Sequence, residues 1–240
     1  MNGPDNTPAA VFRISSASAR GFSLIEIAIV LVIVGLLLGG LLGPLQSQQE
    51  MQDTTETQEV LDETLLTLYG YAYANGFLPC PDTDGDGLED FAGGNCSNVN
   101  GDIPWATLGS PDGDGFRGNR LGYRIDANLN NHAPISCSVG ASIQICTDNT
   151  CATTLSTRAA LVIWSFGKNG YLATNAQGGI NTVPGAVTLS NDELENSNGD
   201  AIFVRRQRTA GNTVAGEFDD MVEFVSESLL CAKLVEAGAL

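Results

Sequence analysis

Histidine is all but missing from this sequence: His132 is the single copy among 240 residues. Set in the polar loop "NNHAP", it reads as a surface residue rather than a catalytic base. Also missing are a G-x-S-x-G elbow, an H-E-x-x-H helix and a phosphate-cradling loop. The Gly-Lys pair of "SFGKNG" lacks the flanking residues of a P-loop. Paired carboxylates abound, yet no spacing sets two of them across a substrate. The chain therefore reads as no enzyme, and an exported hydrolase working through acidic residues is the weakest alternative. Positive charge is scarce too, with 11 Lys and Arg against 28 Asp and Glu, a formal charge of −17. Nucleic-acid binding, which needs a basic patch, is not expected. The acidic excess reads first as the solubility of an exposed surface.

What is present in quantity is a long apolar run, Phe22 to Leu42, with Glu26 as its single charge. As a helix at roughly 1.5 Å per residue it would be about 30 Å long, one bilayer core. Arg13 and Arg20 precede it, and no Lys or Arg follows until Arg117. Positive-inside logic puts residues 1–21 in the cytoplasm and the rest beyond the membrane. The run is too long for a cleaved secretory signal, and "GPLQSQQ" offers no clear small-x-small cut.

All six cysteines, Cys80, Cys96, Cys137, Cys146, Cys151 and Cys231, lie past the apolar run. An even number in an oxidising compartment suggests up to three disulfides. No C-x-x-C pair occurs, which argues against structural zinc or a thioredoxin-like site. Cys80–Cys96 is the preferred first pair, closing a short loop; the other pairings stay open.

A carboxylate in hydrocarbon costs roughly 2.5–3.5 kcal/mol at mid-span and less near an end. A cut between Gly21 and Phe22 would place a new α-amino group four residues from Glu26, on the same helical face. That amine, from the same or a neighbouring subunit, offsets the cost. An acid in the first turn also suits the helix dipole. The stretch "GFSLIEIAIVLVIVGLL" resembles the class III leader junction of type IV pilins and of type II secretion pseudopilins. The resemblance implies cleavage after Gly21 by a membrane-embedded prepilin peptidase, N-methylation of Phe22, and filament assembly steered by Glu26. It implies other pilin or pseudopilin subunits and the inner membrane as partners. It also implies an α+β, pilin-like fold, with a long N-terminal helix, transmembrane in its first half, packed on a mostly antiparallel C-terminal β-domain. The expected organisation is a leader over 1–21, a transmembrane helix over 22–42, a stalk and amphipathic helix over 43–76, and an exported, periplasmic domain over 77–240. The looser segments "LPCPDTDGDGLED", "GDIPWATLG" and "FDDMVEFVS" favour a minor pilin or pseudopilin over a major one.

Gly35, Gly39 and Gly43 recur every four residues, a spacing that permits close helix approach. Gly39, Gly40, Gly43 and Pro44 together predict a kink or melted turn. "QSQQEMQDTTETQEV" reads as an exposed stalk, polar all round. Leu61, Leu65, Leu68 and Ala72 then form an apolar stripe on a helix ending near Gly76. Strands are expected within 119–125, 158–166, 201–207 and 220–225. A terminal helix is expected to start at Ser226 as its N-cap.

The acidic loop "DTDGDGLED" spaces its carboxylates like the first half of a calcium loop. The expected Ca2+ ligands are the side chains of Asp82, Asp84, Asp86 and Asp90 and the carbonyl of Leu88, with Gly87 at the sharp turn. Position 12 is Gly93, so the site lacks the bidentate Glu of a full EF-hand. "PDGDG" (111–115) and "DANLNN" (126–131) read as turns. A stand-alone, membrane-anchored calcium- or ligand-binding module is the alternative to a filament subunit.

Overall fold

The structure, a computed structural model, describes residues 21, 23–211, 213 and 216–238, and for 38–46 the backbone alone. Residues 1–20 of the expected 1–21 leader, and Phe22, lie outside the described residues. The chain divides between Gln46 and Ser47 into two units.

Helix α1 spans Leu24–Asn75. Residues 39–44 are helical, so the melted turn expected at Pro44 is not formed in this chain. A proline removes one backbone donor and crowds the preceding turn, but the helix continues on either side of it. Among the described residues, no helix is long and apolar enough to cross a membrane. The described side chains of the apolar run stop at Leu37. Gly76 ends the helix in the left-handed region at φ 81°, its N–H returned to the Ala72 carbonyl at 2.8 Å.

The second unit is an α+β domain built around a curled, mixed β-sheet. A two-residue hairpin, β1 (Phe91–Ala92) and β2 (Asn95–Cys96), turns through Gly93 and Gly94, both at positive φ. Then come β3 (Asn100–Asp102), the short helix α2 (Trp105–Leu108), β4 (Gly122–Ile125) and β5 (Ile143–Cys146). The long strand β6 (Thr154–Ser165) is followed by α3 (Asn191–Ser197), β7 (Ile202–Val204), β8 (Met221–Ser226) and α4 (Glu227–Glu236). The four predicted strands and the terminal helix are all present. Ser226 caps α4 by accepting the Leu229 N–H.

Strand β6 is the axis of the sheet. Ala159 pairs with Ile143 of β5 and with Ser226 of β8, which therefore lie on opposite edges of β6. β4 runs antiparallel to residues 161–164, opposite β8. Among the described residues, only β5 and β7 pair in parallel. Successive side chains of β6 serve two cores, as a period of two requires. Leu161 and Ile163 face Leu61, Leu68 and Ala72 of α1 and Leu230 and Leu234 of α4. Val162 and Trp164 face Phe166, Ala173 and Phe203 on the other side. Coverage of both faces explains why "RAALVIWSF" is a nearly continuous apolar run rather than an alternating one.

The sequence reading of 46–60 as polar and exposed all round is corrected here. Thr57 is fully buried; its Oγ1 donates to the Asp53 carbonyl at 2.7 Å and accepts the Gly115 N–H at 3.0 Å. A Cβ on Gly115 would stand 2.8 Å from that same carbonyl, so the "PDGDG" turn lies directly on the helix. The turn needs more than local chemistry, because Asp114 is buried and accepts the Ser165 hydroxyl at 2.7 Å.

Candidate functional site

At the start of α1, Ser23 and Glu26 satisfy each other. The Ser23 N–H donates to Glu26 Oε2 at 3.2 Å, and the Glu26 N–H donates to Ser23 Oγ at 3.2 Å. This reciprocal pair is a capping box. It fixes the first turn immediately after Gly21 and holds the carboxylate at the positive end of the helix. The S-x-x-E spacing was legible in "FSLIE", but the reading of Glu26 as a docking charge passed over it. Gly21 is exposed, and a Cβ there would meet nothing within 4 Å.

The acidic loop folds around Asp82, which is 1 % exposed. Asp82 Oδ1 accepts the N–H groups of Asp84 (3.1 Å) and Gly85 (2.7 Å), and Oδ2 accepts that of Gly87 (2.7 Å). Asp84 and Asp86 repeat the pattern on the N–H groups of Asp86 and Leu88. Asp82, Asp84 and Asp86 each bring an oxygen within 4.8 Å of the others. Asp90 stands apart from them, its Oδ2 bound by the backbone and hydroxyl of Thr83. Leu88 enters the turn through its N–H. The fit to calcium is thus three converging carboxylates of the five expected ligands. Asp82 also has a counter-charge that spacing could not show. The buried Arg120 lies 3.8 Å from its Oδ2 and over the Trp105 ring. Gly87 is required twice over, by φ 83° and because a Cβ would sit 2.3 Å from the Trp105 indole.

Beyond the loop lies a cavity of about 280 Å³ shared by Asp82, Asn100, Asp102, Trp164 and Phe166. Burial, followed by the charge of Asp82, raises the Asp102 carboxyl to about 6, against the hydrogen bond from Thr174 and the charge of Arg120.

The cysteines form three bonds: Cys80–Cys96, Cys137–Cys231 and Cys146–Cys151. Beside the first, His132 is more firmly placed than a loop residue would suggest. Its ring is stacked between Phe77 and Phe91, at centroid distances of 3.9 and 3.7 Å, and pairs with Glu89 at 3.2 Å. A second acidic group joins Glu193, Asp219 and Asp220. Asp219 and Asp220 are adjacent, within "FDDMVEFVS", but Glu193 lies far from them in the chain, so no single motif unites the three.

Residues 16–42 match the family model of the prokaryotic N-terminal methylation motif. No curated protein and no solved structure matches the chain.

Proposed function

We propose that the N-terminal methylation motif makes this chain a structural subunit, a minor pilin or pseudopilin, of a type IV pilus or type II secretion pseudopilus. The match over residues 16–42 carries this reading. In it, prepilin peptidase cuts after Gly21 and Phe22 becomes the methylated N-terminus. The segment 22–42 anchors the protein once across the inner membrane, with the exported domain in the periplasm until assembly. The capping box supports the reading, because it holds the Glu26 carboxylate in the first turn of the helix, at the end where the anchor segment would begin. Other pilin or pseudopilin subunits would pack along the same apolar helix. The work is mechanical, and no catalytic residue is assigned.

Mass spectrometry of the membrane-extracted protein should show a chain beginning at N-methylated Phe22. An intact leader, or loss of the whole apolar run, would reject the filament reading. In Glu26→Ala, cleavage should persist while filament incorporation falls several-fold; unchanged incorporation would remove Glu26 from assembly.

The convergence of Asp82, Asp84 and Asp86 favours a second reading, a membrane-anchored calcium-binding module. The three carboxylates together can attract a hard cation, though Arg120 already compensates the innermost. Titrating the full chain in detergent with Ca2+ should give weak, millimolar binding heat that Asp84→Asn with Asp86→Asn removes. Absence of that heat in the unaltered chain would retire the acidic loop as a calcium site.

A further inference from the structure

The face of the sheet turned away from α1 carries a cavity for which the N-terminal motif and the acidic loop have no use. Asp102 of β3 pairs with Gly122 of β4, and Gly122 pairs with Trp164 of β6, so the three form one row across the sheet. Paired residues on neighbouring strands belong to the same face. Because position 122 has no side chain, the Trp164 indole can reach over β4; a Cβ there would stand 2.1 Å from it. The cavity of about 280 Å³ is lined by this indole, by polar Asn100, Asp102 and Thr174, and by apolar Phe166 and Leu172. Thr83 and Asn98, both exposed, open it to solvent.

Two polar atoms of the lining side chains have no partner among the described residues. Trp164 is 3 % exposed, and its Nε1–H donates to nothing. Asn100 Oδ1 is buried and accepts from nothing. Buried polar groups are nearly always paired, so each orphan needs a cause. Asp82, at the edge of the cavity, is not one of them, because its oxygens accept three N–H groups and face Arg120. The backbone gives a further sign. Leu172 has φ 66°, a left-handed conformation that residues other than glycine seldom adopt, and its N–H is held by the Asn181 carbonyl at 3.1 Å. Strain of this kind collects where a fold clamps a ligand.

An orphan donor and an orphan acceptor around one cavity call for a group that both accepts and donates. A hydroxyl does so; a bare cation would leave the indole N–H unmet. No Lys or Arg is among the described residues lining the space, which disfavours a phosphate or carboxylate ligand. Burial raises the Asp102 carboxyl to about 6, against the Thr174 hydrogen bond, so near neutral pH it can either accept from a hydroxyl or donate to one. The volume is several times the roughly 30 Å³ that one water takes, and it lies at the small end of ligand pockets. Phe166 and Leu172 supply apolar surface that hydroxyls alone would not use.

We propose that this cavity binds one saccharide ring, a neutral ligand with hydroxyls along its edge and C–H groups on its faces. In the complex the Trp164 Nε1–H donates to a sugar oxygen and Asn100 Oδ1 accepts a sugar hydroxyl. Asp102 and Thr174 take further hydroxyls, while Phe166 and Leu172 meet the C–H surface. Ring-sized ligands of this class put a donor and an acceptor on nearly every carbon, which matches the density of polar side chains in so small a space. The site needs no filament, so it stands apart from the pilin reading.

The test uses the full chain in a detergent without a sugar headgroup, labelled with nitrogen-15 at the indoles. The two indole N–H resonances, of Trp105 and Trp164, are told apart with Trp105→Phe. Glucose, galactose and N-acetylglucosamine are added separately at millimolar concentration. At least one should move the Trp164 resonance saturably and leave that of Trp105 in place. Asn100→Ala should weaken the binding of that sugar about 3- to 10-fold, with the unfolding temperature unchanged or raised because an orphan acceptor is gone. The methyl glycoside of the same sugar separates the two sources: equal binding points to the end of a glycan, and lost binding to a free sugar. No Trp164 shift with any of the three sugars would overturn the proposal, since water alone would then meet the orphan atoms. A shift with calcium or methylammonium but with no sugar would overturn it too, and so would sugar binding undiminished in Asn100→Ala.

Discussion

The Cys137→Ser, Cys231→Ser double variant is expected to lose about 4–5 kcal/mol of stability, the largest loss of the three disulfides. The bond joins residues 94 apart, whereas Cys80–Cys96 spans 16 and Cys146–Cys151 spans 5. A crosslink removes more freedom from the unfolded chain as its loop grows, giving about 4.7, 3 and 2 kcal/mol in order of loop length. The long bond also has a native-state role. Cys231 lies on α4, whose Leu230 and Leu234 complete the core against α1 and the sheet. Without it, the apolar face, the Ser226 cap and the contacts of Glu227 with Arg158 and the Gly140 and Ala141 N–H groups hold the last helix in place. Guanidinium unfolding of the full chain, followed by tryptophan fluorescence, would rank the three pairs. A cost for the 94-residue pair no greater than for the 5-residue pair would show that chain entropy is not what these bonds supply.

Gly122→Ala is expected to be the most damaging single methyl in the sheet. Gly122 pairs directly with Trp164 across β4 and β6, and a Cβ there would stand 2.1 Å from indole Cε2. The indole cannot simply swing aside, being packed against Phe203 at 4.9 Å and Phe166 at 5.8 Å. Overpacking of this kind costs about 1–3 kcal/mol, and more where the neighbour is rigid. For a domain of this size that corresponds to a fall in unfolding temperature of roughly 2–10 °C. Trp164→Leu in the same chain should recover part of the loss, a coupling of about 0.5–3 kcal/mol in a double-mutant cycle. If alanine at 122 shifted the unfolding temperature by less than a degree, the indole would not lie over the glycine as described.

Much of the fold could be read from local pattern. The stripe Leu61, Leu65, Leu68 and Ala72 meets the sheet because helical spacing leaves it no other face to bury. Ser226 begins α4 because a hydroxyl there satisfies an orphan N–H. By the same rule, "SNDE" at 190–193 should have announced α3, since the Ser190 side chain accepts the Glu193 N–H. That signal was passed over inside a stretch rich in Gly and Asn. The polar face of α1 near Thr57 was misjudged for a different reason. A threonine is buried there because a distant loop supplies an N–H for its hydroxyl, and periodicity cannot report such a partner.

The candidate sites divide in the same way. The order Gly21, Phe22, Glu26 before an apolar run could be recognised because all its chemistry is contiguous. The spacing of the acidic loop was equally visible, but spacing could not show Thr83 drawing Asp90 aside or Arg120 set against Asp82. The Asp219–Asp220 pair was visible in "FDDMVEFVS", but nothing in the sequence joined Glu193 to it.

The sequence by itself determined the N-terminal motif, the acidic composition, the helix-then-sheet order and the even set of cysteines. Each depends on residues adjacent in the chain or on totals, and local sterics and solvation act at that range. Tertiary structure alone decided which cysteines pair beyond the first, why Gly122 must be glycine, and which carboxylates share a buried space. Those outcomes depend on distances between segments tens of residues apart, and only the closing of the sheet around β6 sets them.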